Sequence, residues 1–108
     1  MPTQSDGGAL TEGVYLILIS LLQPRHGYAV MQNIAQLTAG RLTLGAGTLY
    51  GALNTLLTRG WIEALTPDAG SRTKQYVITD DGLAALQGEI TRLRQLTAIG
   101  EQAIGGNQ

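Results

Sequence analysis

The 108-residue sequence contains no cysteine and one histidine, His26. The first absence excludes disulfides and thiolate metal sites and gives no sign of an oxidising compartment. With so few nitrogen and sulfur ligands, neither a metal nor any other cofactor is expected. Catalytic constellations are lacking as well. There is no thiol or second imidazole for nucleophilic or acid–base work and no Ser-based or phosphate-cradling motif, and the glycines form no dinucleotide-binding fingerprint because no parallel-strand context surrounds them. An enzyme is therefore not expected. Nor is there an excess of one charge: the formal net charge of −1 neither requires nor excludes a nucleic acid, since local rather than total charge steers a partner. Long apolar runs are also missing. Val14 to Leu22 is hydrophobic nearly all round, but about a dozen helical residues fall short of the ~20 needed to cross a bilayer. No basic segment precedes that run, so it does not read as a signal peptide. No membrane partner is expected.

What is present fits one domain with one core, which a partner could complete: the chain is short and 44% hydrophobic. Charge is unevenly spread along it. Residues 1–24 carry only Asp6 and Glu12, a net of −2; residues 25–74 carry Arg25, Arg41, Arg59, Arg72 and Lys74 against Glu63 and Asp68, a net of +3. Residues 75–108 return to −2, with Arg92 and Arg94 against Asp80, Asp81, Glu89 and Glu101. The basic excess lies in the middle third.

Residues 1–9 are polar and Gly-rich and read as a flexible tail. Thr11 caps a first helix with Glu12 in its opening turn, and Pro24 stops it. The turn Pro24-Arg25-His26-Gly27 leads to a second helix from Tyr28 to about Ala39, with Val30, Ile34 and Leu37 as its core stripe and Gly40 as its stop. Arg41-Leu42-Thr43-Leu44 alternates polar and apolar, which suits a very short strand. A third helix starts near Gly47 and stacks Leu49, Leu53, Leu56 and Leu57 on one stripe. Its opposite face collects Thr48, Gly51, Asn54, Thr55 and Thr58, small and uncharged before Arg59. Such a face suits the DNA major groove, where Asn and Thr meet base-edge donors and acceptors. It also suits an ordinary amphipathic helix with a polar outside.

After Gly60 the period becomes two: Trp61–Leu65 and Thr73–Thr79 read as strands of a hairpin whose turn, residues 66–72, has a basic tip. Three helices followed by a hairpin give a mainly α fold, a winged helix-turn-helix over residues 10–79. Thr79-Asp80-Asp81 then caps a C-terminal helix over residues 80–100, with Leu83, Leu86, Ile90 and Leu93 in a seam. That seam closes either on its copy in a homodimer or back on the chain's own first helix. Residues 101–108 read as a flexible end, frayed by Gly100, Gly105 and Gly106.

Four short motifs fall at these junctions: His26-Gly27-Tyr28, Gly47-Thr48-Leu49-Tyr50, Gly60-Trp61-Ile62, and Tyr76-Val77-Ile78-Thr79 followed by Gly82. In this order and spacing, across nearly the whole chain, they resemble the PadR family of bacterial transcriptional regulators, in its compact branch with a single C-terminal helix. The resemblance implies a cytoplasmic, dimeric winged-helix repressor on double-stranded operator DNA, released by a small hydrophobic or aromatic effector. Together with the helical period and the basic wing, this puts Thr48, Tyr50, Gly51, Asn54 and Thr55 of the third helix and Ser71, Arg72 and Lys74 of the wing as the residues expected at DNA, and the seam Leu83, Leu86, Ile90 and Leu93 as the expected dimer contact.

Three departures qualify it. Relatives often have Pro or Ser before the third helix, whereas Gly45-Ala46-Gly47 implies a looser, weakly capped start. Relatives often carry consecutive basic residues in the wing, but here Arg72 and Lys74 stand beside Ser71, Thr73 and Gln75, implying modest affinity. Multidrug-binding relatives stack flat drugs on a Trp of the terminal helix; the one Trp here is Trp61, which reads as a core plug under the wing. Tyr50 suits either a phosphate contact or a helix-to-helix spacer. His26 suits a hydrogen-bonded turn better than a pH-sensitive group, and Arg59 is explained by the helix dipole alone. The other function class left open is a winged-helix module that binds a protein rather than DNA.

Overall fold

A computed structural model describes residues 9–67 and 73–105. Helix α1 is Glu12–Ser20, begun by Thr11, whose hydroxyl accepts from the Val14 amide at 3.1 Å. It buries Ile17 and Leu18, and Leu21 closes it before Pro24 is reached. Strand β1 is Arg25–His26 and helix α2 is Gly27–Leu37. His26 joins the two: its Nδ1 accepts from the Ala29 amide at 3.2 Å, so the imidazole serves as a helix cap. α2 ends two residues short of the expected Ala39, because Ala39 and Gly40 turn into the left-handed region at φ 52° and 81°.

Two expectations about strands are corrected. Arg41–Leu44 is not a strand: no described strand pairs with it, and Leu42 and Leu44 pack against the core while the Thr38 hydroxyl accepts from the Leu42 amide. The short strand lies instead where the sequence suggests a simple turn. Pro24 cannot continue the helix, and after it Arg25 and His26 pair antiparallel with Tyr76 and Gln75.

Helix α3 is Ala46–Arg59, strand β2 Ile62–Leu65 and strand β3 Gln75–Ile78, so the hairpin belongs to a three-stranded antiparallel sheet ordered β1-β3-β2. In it Ile62 pairs with Ile78 and Ala64 with Tyr76. One core collects Ile17, Leu18 and Leu21 from α1, Val30 and Ile34 from α2, Leu49, Leu53 and Leu56 from α3, with Ile62 and Tyr76 of the sheet. The leucine stripe of the third helix is thus its buried side, whereas Leu37, expected in the core, is 54% exposed.

Helix α4, Asp80–Gly105, runs 26 residues and carries Gly100 in its interior rather than at its end. Its two halves differ. Leu86 is 2% exposed within the single chain and Ile90 packs against the core. Leu86 is thus packed within its own chain, where α4 lies against α1, and Ile90 is half-buried beside the same core. Leu83 is half-buried, Leu93 is 38% exposed, and beyond it Leu96, Ile99 and Ile104 stand open. The chain is consequently elongated, with a radius of gyration of 16.2 Å where a compact chain of this length gives about 13 Å.

Candidate nucleic-acid interface

The outward face of α3 is built by subtraction. With Leu49, Leu53 and Leu56 committed to the core, helical geometry turns Thr48, Gly51, Asn54, Thr55 and Thr58 to the surface, and all five are exposed. Apart from adjacent residues and the helix's own backbone, no described atom lies within 4 Å of where a Cβ on Gly47 or Gly51 would sit. Packing therefore does not demand glycine at either position, and its effect is to keep the face flat. Thr55 and Thr58 donate their hydroxyl protons to the carbonyls of Gly51 and Asn54 at 3.2 and 3.0 Å, so outward they offer lone pairs. Among the described residues the exposed Asn54 amide has no hydrogen-bond partner. At the start of the helix Gly45 supplies no side-chain cap, in keeping with the weak start read from the sequence, and the first-turn amides stay available. At its far end the Arg59 guanidinium lies 4.9 Å from the centroid of the Trp61 ring.

Tyr50 points back across the fold. A Cβ on Gly27 would come within 2.7 Å of its Cζ, so the ring rests on the first residue of α2 and spaces α2 from α3. The Tyr76 hydroxyl is pushed up by burial first and by the neighbouring Tyr50 second. Tyr50 nevertheless remains 43% exposed. In the wing, Lys74 is exposed beside the start of β3, while Ser71 and Arg72 lie outside the described residues.

A cleft of about 700 Å³ opens on another side of the molecule, between the start of α1, the end of α2 and the middle of α4. Leu10, Tyr15, Leu16, Leu37 and Leu93 give it apolar walls. Two ion pairs frame it. Arg41 meets Glu12 at the exposed mouth, and Arg92 donates from Nε to Oε1 of Glu89 at 2.8 Å in the wall. Glu89 is 3% exposed. Its carboxyl is held below the ordinary carboxylate range chiefly by the Arg92 hydrogen bonds; burial opposes this, and a hydrogen bond from the Leu10 backbone adds to it. Sequence reading missed Glu89, since a lone Glu on an amphipathic helix looks like a solvated charge; its spacing of three from Arg92 was the available signal. Among the described residues no group of three or more His, Cys, Asp or Glu side chains could hold a metal ion, and no helix is long and apolar enough to cross a membrane.

Residues 16–88 match the model of the family described as Transcriptional regulator PadR-like family. No curated protein matches the sequence. Among solved structures, the chain is similar to a PadR family transcriptional regulator from Eggerthella lenta, at 27% identity and a TM-score of 0.73 over 85% of this chain and 80% of that one. A transcriptional regulator from Clostridium thermocellum shares the fold at 19% identity and a TM-score of 0.71, over 84% of this chain and 90% of that one. So does a PadR family regulator from hypervirulent Clostridium difficile, at 22% identity and 0.67, over 85% and 98%.

Proposed function

The chain belongs to the PadR-like family of transcriptional regulators, and from that premise we propose that it acts as a cytoplasmic homodimeric repressor on operator DNA. The outer face of α3 enters the major groove, and the wing, through Ser71, Arg72 and Lys74, touches the flanking backbone. One observation carries this reading: α3 exposes five small, uncharged residues on one face, and nothing packs where a Cβ on Gly51 would sit. A face meant only for solvation has no reason to be so flat or so poor in charge. Asn54 offers a donor and an acceptor to one base edge, while Thr48 and the uncapped amides suit phosphate. Gly51 and Thr55 line the same approach, and Tyr50 presents its exposed edge beside them.

The dimer rests on the outer half of α4. Leu93, Leu96, Ile99 and Ile104 form an apolar row that the chain's own fold leaves open, and a second copy buries such a row at least cost in new surface. Release from DNA is assigned to a small hydrophobic or aromatic molecule in the cleft between α1 and α4, whose volume of about 700 Å³ lies in the range of ligand sites.

The test is a binding titration against duplexes from the chain's own promoter region at two salt concentrations. Tight binding to one duplex, falling steeply with salt, is expected. A second reading, a protein-binding winged helix, draws on the net charge of −1 and the thin wing; absence of binding at low salt selects it.

A further inference from the structure

Two of the four sequence motifs meet in space at a single side chain. Thr79 sits between β3 and α4, and its hydroxyl donates to the Gly60 carbonyl at 2.6 Å while accepting from the Gly82 amide at 3.1 Å. Its own amide donates to the Trp61 carbonyl at 3.0 Å. Gly82 presses against that same carbonyl oxygen, and a Cβ there would also come within 2.8 Å of Ile78 Cγ1. Gly60 in turn is the left-handed cap of α3, at φ 78°, with the Gly60 and Trp61 amides bonded to the last-turn carbonyls of Leu57 and Leu56. An unbroken chain of hydrogen bonds therefore runs from the last turn of α3 through Thr79 into the first turn of α4.

Capping α4 requires only the acceptor side of that hydroxyl. The donor side is spent on the other helix, and it is the shorter bond of the pair. We propose that Thr79 is a positioning residue that fixes the angle of α3 against α4, so that whatever moves α4 also moves the DNA-reading helix. α4 is 26 residues long, about 39 Å at 1.5 Å per residue, and Thr79 is at its inner end. A second copy on the outer half, or a molecule in the cleft that Glu89, Arg92 and Leu93 help to line, acts on this lever. This inference rests on the DNA-binding reading above.

Three variants of the full chain separate a joint from a simple cap. T79S keeps both the donor and the acceptor. T79D keeps an excellent cap but, as a carboxylate, cannot donate to the Gly60 carbonyl. T79V loses both. The expected result is that T79S behaves as the native chain, whereas T79D lowers the ratio of operator to scrambled-duplex affinity by roughly 2- to 30-fold, the range carried through coupled elements. Because T79D also adds a negative charge, a loss shared equally by both duplexes is read against uncharged T79V, and only the affinity ratio tests the joint. Without any DNA, hydrogen exchange at the Gly60 and Trp61 amides quickens in T79D and T79V but not in T79S. A native exchange pattern at those amides in T79D overturns the joint, as does a native affinity ratio. If the native chain shows no preference for operator, the DNA reading fails first, and the exchange data still decide whether Thr79 ties the two helices.

Discussion

On the proposed function, base reading turns on Asn54. Its amide is exposed, without a partner among the described residues, and faces away from a fully committed leucine stripe. Replacing Asn54 by Ala is expected to cost about 1–3 kcal/mol on operator DNA and almost nothing on scrambled duplex, while Thr48→Val weakens both. Paired isotherms at equal salt check this, and equal losses for Asn54→Ala on the two duplexes would move the reading face elsewhere. Glu89 carries a prediction of another kind. Its carboxyl is depressed in the folded chain relative to about 4.3 in an unfolded one. The unfolded chain therefore takes up the proton first as pH falls, and the stabilisation Glu89 gives is complete above the ordinary carboxylate range and disappears as pH drops through the folded value. Glu89→Gln should be less stable than the native chain at pH 7, with the gap closing in acid; urea midpoints for both proteins across that range decide it. Neither residue stood out for its burial: Asn54 was legible from helical period alone, but whether Glu89 faces water or α1 depends on which chain segment covers it.

Among the elements, α4 divides where the core ends. Leu86 is packed inside one chain, so Leu86→Ala should cost about 2–5 kcal/mol of folding stability whatever the assembly. Leu86→Asp should unfold the protein rather than merely dissociate a dimer. Ile99 is 64% exposed, so Ile99→Asp should leave the core intact and yield monomer by light scattering; a variant that stays dimeric would take the outer half of α4 out of the interface. The seam spacing in the sequence was real, but spacing cannot say whether an apolar row meets its own α1 or another molecule, because both bury the same area. The paired motifs were legible as junctions too. Their partners were not: Gly27 is small because the Tyr50 ring lies on it, and Gly82 because the Trp61 carbonyl does, and such contacts join residues far apart in the chain.

For the molecule as a whole, attraction to DNA must come from local charge, since the net charge is −1. Removing both Arg72 and Lys74 takes four charges from a dimer, and the slope of log affinity against log salt should flatten by up to about 3.6, at roughly 0.9 per phosphate contact. An unchanged slope in a salt titration would mean the wing stays in solvent. The sequence by itself determined the fold class, the three-helix and hairpin order, the buried side of α3 and the family, because periodicity and caps are local properties written within a few residues of one another. Tertiary structure alone decided that Arg25–His26 rather than Arg41–Leu44 joins the sheet, that Leu86 belongs to the chain's own core with Ile90 half-buried beside it, that Glu89 is buried against Arg92, and that Thr79 ties α3 to α4. Each of these depends on which distant segment supplies the missing partner, and a hydrogen bond or a covered surface exists only once the whole chain has closed around it.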